Sequence, residues 1–188
     1  NYNTRRAKEL LELFLEYHPD IRFHLEIHPA LLSEELKEEL KHLPEGLLHL
    51  EAGIQSLREP VLEKSRRMGK LTDALEGLKF LCSLPNMETH ADLIAGLPLY
   101  HLSEIFEDIR VLAAYGAGEI QLESLKLLPG TEMRRRAEEL GIQYSPLPPY
   151  EVLQTREINV SELQTARQLS RLLDGFYNTP AWQSITRK

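Results

Sequence analysis

Residues 47–56, Leu-Leu-His-Leu-Glu-Ala-Gly-Ile-Gln-Ser, alternate with period two. Leu48, Leu50, Ala52 and Ile54 share one face, and His49, Glu51, Gly53 and Gln55 share the other. The pattern recurs at 21–28, where Ile21, Phe23, Leu25 and Ile27 alternate with Arg22, His24, Glu26 and His28. It returns at 86–94, with His90 and Asp92 on the polar side, and at 119–125, with Gln121 and Glu123. Helix-period stretches separate these four strands, which predicts β/α alternation and a parallel sheet. Such sheets are normally covered on both faces, so a polar face needs a reason. A ligand-lined lumen is the obvious one.

The predicted helices are amphipathic. The first begins at Thr4 as N-cap and buries Ala7, Leu10, Leu11, Phe14 and Leu15. Ser33 caps a second through about Lys41, followed by a short helix at 60–66 and a longer one at 72–82. Ser103 caps the next, and 132–140 forms another. From Gly141 onward Pro146, Pro148 and Pro149 mark an irregular linker. A terminal helix capped by Ser161 runs to about Tyr177, with Leu163, Ala166, Leu169, Leu172, Leu173 and Phe176 inward and a frayed end from Asn178. An opening helix with no strand before it suggests a chain cut from a longer one. Four parallel units do not close a barrel.

Composition narrows the classes. A chain of 188 residues suits one domain of ordinary size. No apolar run approaches the roughly 20 residues that span a bilayer, and the N-terminus leads into an amphipathic segment rather than a signal peptide, so a cytoplasmic protein is expected. A net charge of -7 argues against a general grip on nucleic acid, and Arg134 to Arg136 reads as a solvated helix face. Cys82 is the only cysteine, which excludes an internal disulfide or a multi-thiolate metal site, and its apolar setting predicts a buried thiol.

The polar face gathers His24, Glu26, His28, Glu51, Gln55, His90, Asp92, Gln121 and Glu123. Glu26, Gln55 and Asp92 fall near the C-terminal ends of their strands, where parallel barrels place their sites. These are mainly acceptors, suited to ribose hydroxyls or a ligand ammonium and ill suited to phosphate. Burying several carboxylates without a ligand is costly. A metal shell from His24, His90 and Asp92 is the alternative, giving a metal-dependent hydrolase on a β/α barrel. His24 and His28, four apart on a strand, are too far apart to chelate together. A third reading is a non-catalytic interaction domain, whose open sheet edges would also pair copies of the chain.

Three stretches taken together resemble successive landmarks of the radical S-adenosylmethionine (SAM) core: Glu51-Ala52-Gly53-Ile54-Gln55-Ser56, Arg67 twelve positions after Gln55, and Asp92-Leu93-Ile94-Ala95-Gly96-Leu97-Pro98. Leu125 to Thr131 extends the fit. With Pro148-Pro149-Tyr150-Glu151-Val152-Leu153 in the tail, the whole looks most like the C-terminal part of cobalamin-binding radical SAM proteins, the magnesium-protoporphyrin monomethyl ester cyclase-like Fe-S oxidoreductases.

This resemblance implies an α/β fold comprising strands three to six of a partial TIM-type barrel over 1–140, with a Pro-rich linker and C-terminal helix over 141–188. By similarity to the oxygen-independent coproporphyrinogen oxidase branch, Glu26 matches a position that contacts SAM, Gln55 and Asp92 match ribose or methionyl contacts, and Arg67 the partner of the methionine carboxylate. Glu51 joins this cofactor-binding set. It further implies a [4Fe-4S] cluster and reductive cleavage of SAM to a 5'-deoxyadenosyl radical in the full-length parent, with a small-molecule or tetrapyrrole-like substrate and cobalamin as a further cofactor. The cluster's three-cysteine loop has no counterpart here, so the chain alone is expected to be inactive.

Overall fold

The computed structural model of the chain describes residues 1–17 and 21–186. Four strands, β1 (Phe23–Ile27), β2 (Leu48–Gln55), β3 (Glu88–Ala95) and β4 (Glu119–Ser124), form one sheet in the order β1-β2-β3-β4. All three pairings are parallel. Helices α1 (Thr4–Glu16), α2 (Glu34–Lys41), α3 (Glu59–Lys64), α4 (Leu71–Cys82) and α5 (Leu102–Ala114) alternate with these strands. This is the open β/α architecture that the alternation predicts.

Burial along β2 alternates at every residue, with Leu48, Leu50, Ala52 and Ile54 inside. They join Ala91, Leu93, Ile120 and Leu122 from the neighbouring strands and Leu36, Leu40, Leu78, Leu81, Ile105 and Leu112 from the helices in one core. The helices therefore cover the apolar side. The other side carries the polar residues, and no described helix supplies it with an apolar cover.

Past β4, the stretch expected as a single helix is two, α6 (Glu132–Arg135) and α7 (Ala137–Leu140), interrupted at Arg136. The expected linker contains an antiparallel ribbon of β5 (Gln143–Tyr144) and β6 (Val152–Gln154), which reaches over the Pro148–Pro149 turn. Helix α8 (Val160–Leu172) continues as a π-turn over Leu173–Tyr177. Leu173 and Tyr177 are 7% exposed, whereas Leu172 and Phe176, predicted inward, are 54% and 48% exposed.

Nor is the end frayed from Asn178. Its side-chain oxygen accepts the Ile120 N–H at 2.9 Å and its amide donates to the Ile120 carbonyl at 3.1 Å, so it occupies the outer edge of β4. A 3-10 turn (Pro180–Trp182) and α9 (Gln183–Thr186) follow.

Three caps fall just before the predicted residue. Asn3, not Thr4, accepts the Arg6 N–H, and Asn159, not Ser161, accepts that of Glu162. At α5 the cap is His101 rather than Ser103, with Glu104 accepting the His101 N–H. Ser33 caps α2 as expected by accepting from Leu36. Cys82 is partly rather than fully buried.

Helix α4 crosses the 3-10 turn Pro29–Leu31 so closely that a Cβ on Gly77 would stand 2.2 Å from the Pro29 carbonyl oxygen. In an open helix, alanine in place of glycine gains about 1 kcal/mol. Here the overpacking reverses the sign. Gly77→Ala is expected to lower stability by about 2 kcal/mol, read as a reduced urea midpoint, whereas exposed Glu76→Ala on the same helix leaves it nearly unchanged.

Candidate functional site

The strand register assembles the polar face in layers. Glu26 lies opposite Glu51, and Glu51 opposite His90. One step further along, Gly53 lies opposite Asp92, and Asp92 opposite Gln121. At the end of β2 the register slips, Gln55 takes a φ of +71°, and the strand turns away. Such irregularities re-aim side chains at strand ends.

Asp108 of α5 holds that turn. Its carboxylate, 1% exposed, accepts the Leu57 N–H at 2.8 Å, the Tyr100 hydroxyl at 2.6 Å and the Arg58 Nε at 2.9 Å. A buried acceptor satisfied by three donors is costly to displace. It fixes the backbone directly after Gln55.

Above this end of the sheet lies a cleft of about 290 Å³. It brings together all five residues singled out for cofactor binding, Glu26, Glu51, Gln55, Arg67 and Asp92. Arg67, which sequence alone leaves as readily on a helix surface, reaches back beneath the strand end and donates Nη2 to the Gly53 carbonyl at 2.5 Å. Gly53 permits this approach, since a Cβ there would stand 3.0 Å from Arg67 Nη2. Burial works against the Arg67 charge, while the Glu26 carboxylate favours it. The N-terminal residues Asn1 and Tyr2 also line the cleft, and no pattern in the sequence points to them. Asn1 exchanges hydrogen bonds with the His28 backbone at 2.9 and 3.0 Å, and the Tyr2 ring stands edge-on to the His28 ring.

Two carboxyl groups meet at the cleft floor. Burial, with Glu51 beside it, pushes Asp92 up to about 9, whereas Glu51 is held low against its own burial by hydrogen bonds from His24 and Asp92. Asp92 therefore keeps a proton near neutrality and Glu51 carries the charge. Asp92 is 8% exposed and its Oδ1 has no hydrogen-bond partner. A buried polar atom left over at a cleft floor fits a ligand that supplies the missing bond.

Deeper along the strands, His24, His49 and His90 converge. Burial pushes His90 down to about 4 and lowers His49 as well. The metal set of His24, His90 and Asp92 is corrected here: His49, not Asp92, completes the cluster. Asp92 belongs to the next layer, where it faces Glu51.

The Asp92 value above that of an unfolded chain has a definite sign. Between the two values the native state binds a proton that the unfolded chain lacks, so this group's contribution to stability falls as pH rises from about 4 to about 9. Asp92→Asn supplies a donor to Glu51 without proton uptake. The variant is expected to melt higher than the parent at pH 8, with the gap narrowing toward pH 5, as followed by thermal unfolding.

A family described as "Protein of unknown function (DUF4080)" matches residues 138–187, well under half of the chain. No curated protein matches the sequence. Among solved structures, coproporphyrinogen III oxidase HemN of Escherichia coli, a radical SAM enzyme, is similar at 17% identity and a TM-score of 0.56, over 75% of this chain and 38% of that one. The radical SAM methyltransferase TsrM of Kitasatospora setae, solved with tryptophan and a SAM analogue, is similar at 20% identity and a TM-score of 0.57, over 87% and 34%. Streptococcus suis SuiB follows at 10% and 0.52, over 73% and 33%. The chain thus spans about a third of the length of these structures. What the likenesses establish is the fold, the α/β partial barrel found in radical SAM enzymes.

Proposed function

We propose that this chain is the SAM-holding part of a radical SAM Fe-S oxidoreductase. The observation that carries the reading is the composition of the cleft: Glu26, Glu51, Gln55 and Asp92 around a single guanidinium, Arg67. Such a site suits a ligand that is mostly cationic and hydroxylated and carries one carboxylate, which describes SAM with its sulfonium, ammonium, ribose and methionine carboxylate. The likeness in fold to HemN and TsrM supports it.

In this reading Arg67 pairs with the ligand carboxylate, as guanidinium groups do with planar anions. Glu26 and Gln55 accept from the ribose or the ammonium, and the unsatisfied Asp92 oxygen takes a further contact. These residues bind and orient; none needs to act as acid or base. When bound and reduced, SAM supplies radical chemistry.

The residues do not fit an iron-sulfur cluster. Cys82, the only cysteine, ends α4 and is partly buried, with its thiol pushed up to about 11 by burial. Cluster ligation takes several thiolates, so the cluster belongs to a part of the protein outside these residues, and the chain alone is inactive. Cobalamin, which TsrM binds in one of its structures, is a further cofactor of the proposed parent. The same parent would take a tetrapyrrole-like or other small substrate.

Calorimetric titration of the chain with SAM is expected to show one site. Arg67→Ala is expected to weaken it by about tenfold or more, the equivalent of about 1.4 kcal/mol. In the protein extended by its upstream coding region, reconstituted anaerobically with iron and sulfide, 5'-deoxyadenosine is expected to form. There Gln55→Ala and Asp92→Ala should lower its yield at unchanged cluster content, and undiminished SAM turnover in both variants would overturn the assignment.

A further inference from the structure

The three-histidine cluster joins His24 and His49, one layer toward the N-terminal ends of the strands, to His90, which shares the layer of Glu26 and Glu51. The His24 and His49 rings are stacked, 4.8 Å apart and 12° from parallel. Both meet the His90 ring edge-on at 83°, with centroids 5.2 and 4.2 Å away. One nitrogen from each ring lies within 4.8 Å of the others. The His49 and His90 Nε2 atoms face each other in direct contact. In the metal-free chain one of these nitrogens donates its proton to the other, and a cation bound by both would replace that proton.

The outer partners match what metal-bound imidazoles require, since a ligating histidine hands its second ring N–H to a carboxylate or carbonyl. Glu51 lies 2.9 Å from His24 Nε2. Glu88 lies 3.3 Å from His49 Nδ1, where Arg22 also approaches at 2.9 Å while pairing with Glu88 at 2.6 Å. Arginine only donates, so His49 Nδ1 accepts from Arg22 here, and binding a cation through Nε2 requires the Nδ1 proton to turn to Glu88 instead. The Gln121 amide lies 2.9 Å from His90 Nδ1, and with its oxygen toward the ring it accepts that proton and frees His90 Nε2 likewise. His90 is 2% exposed, so the cluster is anchored on a buried side chain. A surface cleft of about 300 Å³, lined by His49, Glu88 and Glu119, gives access.

We propose that His24, His49 and His90 form a binding site for a divalent transition-metal ion of the zinc class. Three neutral imidazoles are a common donor set for such ions, and a site with three protein ligands leaves a fourth position for water or an exogenous group. His24 and His49 sit about 7 Å along the strands from Glu26 and Glu51, at 3.3 Å per residue, while His90 lies level with them. The site's three imidazoles are not among the cleft residues, Glu51 alone being shared as the partner of His24, and Zn²⁺ retention tests it separately from SAM binding.

The chain, stripped with a chelator and titrated with Zn²⁺ near neutral pH, is expected to retain one ion per chain through gel filtration. Co²⁺ in its place is expected to give the intense visible absorption of a four-coordinate centre. His24 is half-exposed, so His24→Ala keeps the fold, and both it and His49→Ala are expected to weaken Zn²⁺ at least tenfold. Exposed His101→Ala should leave affinity unchanged. Failure of the folded chain to retain stoichiometric Zn²⁺ would overturn the site, as would undiminished affinity in folded His24→Ala, or a loss equally large in His101→Ala.

Discussion

A parallel sheet covered by helices on one side only has to be two materials at once. In β2 and β3 every second residue enters a hydrocarbon core, and the residues between carry imidazole, carboxylate and amide into a cleft. Alternation of side chains across a strand makes this unavoidable, because a one-residue slip would exchange the two faces. The register that pairs Leu50 with Thr89 and Ala52 with Ala91 on the helix side therefore also sets Glu51 against His90 and Gly53 against Asp92 on the other. Packing and chemistry share one constraint.

Strands and their faces were legible for the same reason: period two is a strong local signal, and of the polar residues it collected Glu26, His28, Glu51, Gln55, Asp92 and Glu123 line the cleft. Helix starts were less so. Asn3 stands beside Thr4, and Asn159 two before Ser161, and each is a competent cap. The choice depends on where packing lets the first turn begin. Along α8 and its π-turn, Leu173 and Tyr177 continue the buried line of Leu163 and Ala166, whereas Leu172 and Phe176 flank it, a distinction that apolar character alone did not make. His49 was visible on the polar face, but its meeting with His24 and His90 depends on ring orientations across three strands. Arg67 reached the cleft through the absence of a side chain at Gly53, a contact without sequence periodicity.

Asp108 shows how far from the cleft its geometry is set. It lies on a helix on the apolar side of the sheet, yet its carboxylate gathers donors from Leu57, Arg58 and Tyr100 and so fixes the backbone beyond Gln55. The strand end could not stay open and ordered without such a tether, since β2 leaves its ladder there.

The two edges of the sheet are not equivalent. At β4, Asn178 places its amide on both backbone groups of Ile120, which a further strand would need for pairing. At β1, on the opposite border, Asn1 makes the same pair of bonds with His28, just past the end of the strand, so there the contact falls at the strand end and at β4 within it. By holding both outward backbone groups of Ile120, the C-terminal segment acts as a stop: a side-chain amide imitates a neighbouring strand and ends the ladder without one.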